Sequence, residues 1–430
     1  MSDTARSAGD DDALPSRGQA ALLVALMWGA YFLNYCDRQA VFAMFPSLRA
    51  DLGMDDASLG LVGAVFLWVY ALACPVAGHL GDRMSKRFLA VASLVIWSLV
   101  TVATGFVSDG GWMLALRAAM GVSEALFMPT AVALVADAHA PSVRSRAIAI
   151  LSTAQIAGTV GGSVFGGWMA DLGRWRQAFF VLGAAGVVYA LPYLLLLRSP
   201  QPRRTARAAP TPALAALASI PSFVALCVGF PCFVFGLWLI YGWFPSFLRE
   251  KFSLSQAEAA WNATIWLQAM SAVGLLGGGV FSDWLYRRTP AARQWVLVTS
   301  LLACAPCLWW IGAAPTLGTT RLAAAGFGLA SGLFMGNIFP AAFEVVPAAG
   351  RAGAVGVLNL CGGMVSGFGA LFGGLVKSSI GIDGLLAICA VAYLLAAGLL
   401  VVATRRRFLA DHAAAATADG RPQAPDSATR

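Results

Sequence analysis

Four charged side chains lie inside long apolar segments of the 430-residue sequence. Asp37 and Arg38 are adjacent in the first apolar run, and Arg117 and Glu124 lie in the fourth. Arg117 and Glu124 are separated by nearly two helical turns, so they share one helix face about 10 Å apart. A lone Arg or Asp at the centre of a membrane costs about 2.5–3.5 kcal/mol on insertion scales, so such groups must pair or line a cavity. Two acids and two guanidiniums could bind an anion when protons neutralise the acids.

The elements that hold these charges are predicted to be membrane-spanning helices. Hydrophobic residues make up 59% of the chain and charged residues only 12%, against about 45–50% and about 25% in soluble proteins. Most of the length lies in apolar runs of about 20 residues, which is the length of a transmembrane helix. This composition excludes a soluble enzyme, a disordered chain and a disulfide scaffold. A transmembrane β-barrel is also excluded, because its strands alternate and are about ten residues long.

Twelve such runs predict an all-α integral membrane protein with twelve transmembrane helices in two six-helix halves. The runs lie near residues 20–46, 59–78, 88–107, 112–136, 146–168, 177–197, 220–247, 261–282, 294–313, 321–346, 352–377 and 384–404. The predicted organisation is an N-terminal tail over 1–19, a first half over 20–197, a linker over 198–219, a second half over 220–407 and a disordered tail over 408–430.

The distribution of Lys and Arg predicts the orientation. Of the 29 Lys and Arg residues, 20 fall on the side of the N-terminus. The nine others are Arg49, Arg174, Arg176, Arg249, Lys251 and Lys377 on the far side, and Arg38, Arg117 and Arg321 within spans. The positive-inside rule therefore predicts that both termini are cytoplasmic. The net charge of +8 is then explained by topology and not by a nucleic-acid partner. We expect a multi-pass protein of a bacterial inner membrane, without a cleaved secretory signal.

The two halves repeat one loop sequence. GHLGDRMSKR at 78–87 follows the second span, and GVFSDWLYRR at 279–288 follows the eighth. A Gly allows two helices to approach closely, an Asp at a helix end can accept backbone or cationic donors, and paired cations remain at the headgroup level. Two copies in equivalent places predict a conformational role for Gly78, Asp82, Arg83 and Arg87 in the first loop and for Gly279, Asp283 and Arg288 in the second. Spans four and ten also correspond, since Gly121 and Pro129 match Gly332 and Pro340.

On these loops, the chain resembles the major facilitator superfamily from about residue 19 to 407. Within it, the chain is most similar to the anion:cation symporters, which carry sugar acids and other organic anions with protons. The stretches that carry this likeness are NYCDR at 34–38, RAAMGVSEA at 117–125, RWRQAFF at 174–180, WFPSFL at 243–248 and GVLN at 356–359. Spinster-like lipid transporters share the first two stretches. The alternative is therefore a Spinster-like transporter of a lysolipid or other amphiphile.

The resemblance implies a site between the halves, with the substrate near the midplane. We expect Asp37 and Glu124 to couple protons, and Arg38 and Arg117 to bind the anion once protonation frees them from these acids. By the family pattern, Tyr35, Gln155 and Asn359 contact the substrate. A structural interpretation competes: Asp37–Arg117 or Glu124–Arg38 are static pairs, and Gln155 and Asn359 only bond across helices.

The predicted function is proton-coupled symport of a small organic anion by alternating access, carried out by a monomer in the lipid bilayer. A small anion requires Gln155 and Asn359 to face the arginines, whereas a lipid requires an apolar slot open to the bilayer. Of the other charges within spans, we expect Arg321 to extend toward the interface and Glu344 to pair with Arg351. No phosphate-binding loop of the GxxxxGK[ST] type and no cluster of metal ligands occurs in the sequence, so no cofactor, metal or enzymatic activity is predicted.

Overall fold

The computed structural model describes residues 16–196 and 214–420, and within these ranges the chain is helical and contains no strand. The helices of the first half are α1 (Arg17–Ala43), α2 (Phe45–Leu52), α3 (Asp56–Arg83), α4 (Lys86–Thr104), α5 (Gly110–Ala125), α6 (Phe127–Ala138), α7 (Pro141–Asp171) and α8 (Trp175–Leu196). Those of the second half are α9 (Leu214–Ala218), α10 (Pro221–Phe252), α11 (Gln256–Tyr286), α12 (Ala292–Ala313), α13 (Leu317–Val345), α14 (Arg351–Arg406) and α15 (Phe408–Ala418).

Eleven helical segments of the described ranges are long and apolar enough to cross a membrane. Helices α5 and α6 together form one of these segments, Gly110–Ala138. The two predicted spans at 352–377 and 384–404 both lie in α14, which is 56 residues long. Gly381 divides them, because its φ of 71° and ψ of 169° are not helical and favour a residue without Cβ. The prediction of an all-α membrane fold in two halves is confirmed.

Short polar side chains determine where several spans begin. Asp55 accepts a hydrogen bond from the Ser58 amide at the start of α3, and Ser85 accepts one from the Phe88 amide at the start of α4. Ser255 and Glu258 form a reciprocal capping box at the start of α11. Such caps satisfy amides that have no partner within the helix, so the sequence fixes the helix starts locally.

The halves meet through α3 with α14 and through α7 with α11. We define the basic face as the membrane face at which Arg17, Lys86, Arg146, Arg293 and Arg405 lie, and the other as the opposite face. At the opposite face, the rings of Phe45 and Trp243 lie 5.1 Å apart. The Asp171 carboxylate there accepts hydrogen bonds of 2.8 Å from the amides of Gln256 and Ala257, at the start of α11. The halves are therefore closed against each other at the opposite face.

Toward the basic face, α3 and α14 lose this close packing. Gly363 is the site of a close approach, since a Cβ there would lie 2.6 Å from the Cβ of Ala71. On the basic side of this contact, Leu72, Val76 and Asn359 are exposed. Space is also open at the two signature glycines. At Gly78 and Gly279, a Cβ would meet no heavy atom within 4 Å. The expectation that these glycines let helices approach is therefore wrong for this state, in which the halves diverge at the basic face.

The predicted disordered tail is partly wrong. Residues of α15 form a helix, because its alanine-rich sequence favours one and because its first turns dock on the second half. Phe408 is completely buried. The Asp411 carboxylate accepts from the Ser222 amide at 2.9 Å, and the His412 ring Nδ1 donates to the Glu344 carbonyl at 2.9 Å. The rest of the predicted tail from 421, most of the linker (198–213) and residues 1–15 of the N-terminal tail lie outside the described residues.

Candidate functional site

The four predicted intramembrane charges lie together inside the protein, on α1 and α5. Their exposed fractions are 1% for Asp37, 7% for Arg38, 2% for Arg117 and 1% for Glu124. None of them faces lipid. Arg38 is the most accessible of the four.

Arg38 and Glu124 form a buried ion pair between α1 and α5. Arg38 donates to one carboxylate oxygen of Glu124 through both Nη2, at 2.7 Å, and Nε, at 3.2 Å. The second Glu124 oxygen is buried and has no hydrogen-bond partner among the described residues. Three aromatic rings surround the guanidinium, which lies 4.7 Å from Tyr35, 4.7 Å from Phe66 and 5.1 Å from Tyr70. We call these three rings the aromatic collar.

Arg117 and Asp37 have fewer of their polar atoms hydrogen-bonded than the Arg38–Glu124 pair. Arg117 Nη1 contacts the Met120 sulfur at 3.5 Å, and the Phe179 ring lies 5.9 Å from the guanidinium carbon. Within the described ranges, Arg117 Nε and Nη2 and Asp37 Oδ1 are buried without a hydrogen-bond partner. Asp37 interacts electrostatically with both Glu124 and Arg117. Polar atoms left unpaired at this depth are costly, which is typical of a site that exchanges partners and not of one built for stability.

The neutral residues that were expected to contact substrate are placed differently from one another. Tyr35 belongs to the collar, and its ring packs edge-on against Tyr31 at 5.1 Å. Gln155 accepts a hydrogen bond of 3.1 Å from the Tyr31 hydroxyl and so bonds α7 to α1. Asn359 is exposed on α14, at the place where the halves diverge. Tyr31 was missed by the sequence analysis, although it lies one helical turn before Tyr35.

The second half contributes aromatic and neutral groups to the site. Trp238 of α10 packs against the cluster that contains Phe66 and Met120. The Tyr241 hydroxyl accepts a hydrogen bond of 3.1 Å from Gln268, and Tyr241 interacts electrostatically with Tyr35. When span ten is aligned with span four through the matched Gly and Pro residues, Gly328 stands where the first half has Arg117, and Met335 stands where it has Glu124. At these positions, the wall formed by the second half therefore carries aromatic and neutral groups and no charge.

The charges of the second half lie outside this site. Glu344 pairs with Arg293 at 2.6 Å and not with Arg351, because Arg293 lies at the start of the neighbouring helix and bridges Glu344 to Asp283 at 2.7 Å. The predicted Glu344–Arg351 pair is thus wrong. Arg321 Nε donates to the Asn262 side chain at 2.7 Å, so Arg321 bonds α13 to α11 and does not simply extend to the interface.

Both signature loops connect neighbouring helices at the basic face. In the first loop, Lys86 pairs with Asp137 at 2.6 Å, and Arg87 donates to the Leu194 carbonyl. In the second, Asp283 pairs with Arg293 of the next helix at 2.7 Å, and Arg288 lies 4.2 Å over the Trp284 ring. Arg83 is exposed, and the side chain of Asp82 lies outside the described side chains. In the part of the chain that the structure describes, no three His, Cys, Asp or Glu side chains are grouped as metal ligands.

Two six-helix halves around a buried central charge cluster define a class of secondary transporters. The family model described as Major Facilitator Superfamily matches residues 27–350. The chain belongs to this superfamily, which is a family of membrane transporters and not of enzymes.

Individual proteins with similar sequences indicate which members of the superfamily this chain resembles. The chain is 32% identical to human protein spinster homolog 1 over 318 residues, which cover 68% of this chain and 60% of that protein. The chain thus spans about 60% of the length of these spinster relatives. It is 29% identical to a "Probable sulfoacetate transporter" of Cupriavidus necator over 294 residues, which cover 63% of this chain and 67% of that protein. Membership of the anion:cation symporters receives no specific support.

Solved structures share the fold. A crystal structure of a bacterial homolog of the human lysosomal transporter Spinster, inward-facing and occupied, covers 92% of this chain and 99% of its own. Its TM-score is 0.81 at 22% identity. The inward-facing, unoccupied structure has a TM-score of 0.75 at 23% identity.

Proposed function

We propose that the protein transports an anionic amphiphile of the lysolipid class, together with protons, through the site around Arg38. The observation that carries this proposal is the buried Arg38–Glu124 pair, which is ringed by aromatic side chains and faces an uncharged wall of the second half that contains Trp238. A charged wall opposite an uncharged, aromatic wall suits a compound with an acidic headgroup and a hydrocarbon tail. The spinster relatives support the same assignment.

The ion pair provides a means of coupling. While Glu124 is ionised, it occupies Arg38 through two hydrogen bonds, and an anion must compete with it. A proton on Glu124 removes this competitor and frees a guanidinium fork that matches a carboxylate or phosphate. Proton and anion therefore favour each other's binding, which is linkage between two ligands of one site. Asp37 and Arg117 add a second acid and a second guanidinium to the same cluster, where they interact electrostatically.

The open side of the molecule suits entry of a tail. Leu72, Val76 and Asn359 are exposed where α3 and α14 diverge, so a hydrocarbon chain could pass between them while its headgroup reaches Arg38. We further propose that the basic face is cytoplasmic and that this state is inward-facing, in agreement with the positive-inside rule. The protein then acts as a monomer in a bacterial plasma membrane, with both termini in the cytoplasm.

A small organic anion, such as a sugar acid or carboxylate, is the second candidate. The relative described as a sulfoacetate transporter favours it. The geometry supports it less well. Gln155 is hydrogen-bonded to Tyr31, and Asn359 lies exposed on the stretch of α14 toward the basic face. A compact polar pocket would require both side chains to turn toward the arginines.

Uptake into proteoliposomes under an imposed pH gradient tests the proposal. The panel contains lysophosphatidylglycerol, lysophosphatidylcholine, a sugar acid, a monocarboxylate and sulfoacetate. We expect gradient-dependent transport of the anionic lysolipid and little of the small acids. Transport of the sugar acid or sulfoacetate without any of the lysolipid would select the second candidate. Undiminished gradient-driven transport by the Asp37→Asn, Glu124→Gln double variant would refute the coupling role of these acids.

A further inference from the structure

A groove of about 950 Å³ lies outside the central site, between the ends of α1 and α7 at the basic face. Small side chains on both helices create it, since Ala21 and Ala25 of α1 face Ala147 of α7 across it. Its mouth carries two guanidiniums, and its wall is apolar apart from the His139 ring, whose Nδ1 is hydrogen-bonded to the Val135 carbonyl at 2.8 Å. The residues that matter here are Arg17, Ala21, Ala25, Trp28, Arg146 and Ile150.

The length of the groove matches one membrane leaflet. Arg17 at the mouth and Trp28 at the deep end are separated by about 16 Å along the helix, which is about half of a hydrocarbon core roughly 30 Å thick. The deep end is closed by a fixed ring: the Trp28 indole donates to the Thr153 hydroxyl at 2.9 Å and stacks on Phe32 at 5.5 Å. One acyl chain therefore fits between a basic mouth and an aromatic floor.

The groove faces the bilayer and not the central site. Ile150 lies on its wall, and Trp168 lies five full helical turns further along α7 on the same side. These side chains are 54% and 52% exposed. Near Trp168 the two halves are closed against each other, so the exposed Trp168 side chain faces the bilayer and not a cavity. Ile150 lies on the same face of α7, so the groove wall also faces the bilayer.

The charges at the mouth identify the occupant. Arg17 and Arg146 are both exposed, and they lie at the headgroup level of the leaflet at the basic face. The nearby acid Asp137 is engaged by Lys86 at 2.6 Å, which leaves the mouth positive. We propose that the groove binds one anionic phospholipid of this leaflet, with its phosphate on Arg17 and Arg146 and an acyl chain along Ala21 and Ala25. This site is independent of the compound that the central site transports.

Native mass spectrometry of the full-length protein, titrated with phosphatidylglycerol or phosphatidylcholine, tests the proposal. We expect one phosphatidylglycerol bound more tightly than phosphatidylcholine. Each guanidinium should contribute about fivefold, so an Arg17→Ala, Arg146→Ala double variant should lose about thirtyfold in affinity for phosphatidylglycerol. Arg144→Ala is the matched control, because Arg144 is an exposed arginine of the same helix that does not line the groove. Equal losses in the control and the double variant would overturn the proposal.

A second variant tests the apolar wall without changing charge. Ala25→Phe should fill the groove and abolish tight binding of phosphatidylglycerol, whereas Leu22→Phe, at an exposed position outside the groove, should leave binding unchanged. This pair decides the question if the double arginine variant does not fold. Unchanged binding by Ala25→Phe, or equal affinity for the two lipids, contradicts the assignment.

Discussion

The two halves share a fold and a loop sequence but differ in where they keep their charges. The first half buries Asp37, Arg38, Arg117 and Glu124 at its centre. In the second half, Trp238, Tyr241 and Met335 occupy the corresponding central positions. The acid–base pairs of this half lie toward the membrane faces, with Glu344–Arg293 at the basic face and Glu250–Lys377 at the opposite face. Duplication therefore preserved the scaffold, while the chemistry was concentrated in one half. A site of this kind can bind the charged end of a substrate on one side and its apolar part on the other.

The largest expected difference between the halves concerns their arginines. Arg38→Ala should abolish transport and destabilise the protein by about 3–5 kcal/mol, because it leaves Glu124 buried and unpaired. Arg321→Ala, at the start of span ten, removes a hydrogen bond to the neutral Asn262 and should leave transport largely intact. Proteoliposome uptake and thermal unfolding of both variants measure this contrast. Similar losses in both would mean that the second half also carries essential charge.

The two halves each bury one glutamate, and we expect only Glu124 of the first half to couple transport to protons. Glu124→Gln should retain exchange of substrate but lose accumulation driven by a pH gradient, because Arg38 is then free of an ionisable competitor. Glu344→Gln, in the second half, should keep gradient-driven accumulation, since Glu344 pairs with Arg293 at the basic face. Parallel exchange and gradient assays test this. Loss of accumulation in Glu344→Gln alone would move the coupling site to the second half.

The ion pairs near the signature loops should differ by a smaller amount. Arg293 connects Asp283 to Glu344, which is largely buried, whereas Lys86 and Asp137 are both substantially exposed. We expect Lys86→Ala to cost less than about 1 kcal/mol, as exposed pairs do, and Arg293→Ala to cost more, because a buried carboxylate loses its partner. Unfolding in a mild detergent compares the two. Equal costs would show that burial of Glu344 is not the deciding factor.

The smallest effect is expected at Asp51, in α2 at the opposite face. Hydrogen bonds from the Trp175 indole at 2.7 Å and from Arg176 at 2.8 Å lower the pKa of this carboxyl. A lowered pKa in the folded state stabilises the protein at neutral pH, and this contribution is lost as the pH falls through that pKa. Asp51→Asn should therefore lower the melting temperature by about 2 °C or less at pH 7. The difference should shrink in acid, and a difference that grows in acid would contradict this sign.

These contacts also explain one of the stretches that suggested the family. In RWRQAFF at 174–180, Trp175 and Arg176 hold Asp51 at the opposite face, whereas the Phe179 ring of the same stretch lies 5.9 Å from the Arg117 guanidinium. The sequence could identify the stretch as characteristic, but it could not separate a structural motif from a binding motif. That distinction depends on which distant residue completes the contact.

The sequence by itself determined the spans, the two halves and the four intramembrane charges, because hydrophobic length and the cost of charge in lipid are local properties of a chain. Only the tertiary structure decided which partner each buried polar side chain takes. Glu124 pairs with Arg38, Glu344 pairs with Arg293, and Gln155 is hydrogen-bonded to Tyr31. It also decided that 408–418 is a docked helix and that the halves are closed at one face. These outcomes depend on contacts between residues far apart in the chain, where packing geometry and not composition selects the partner.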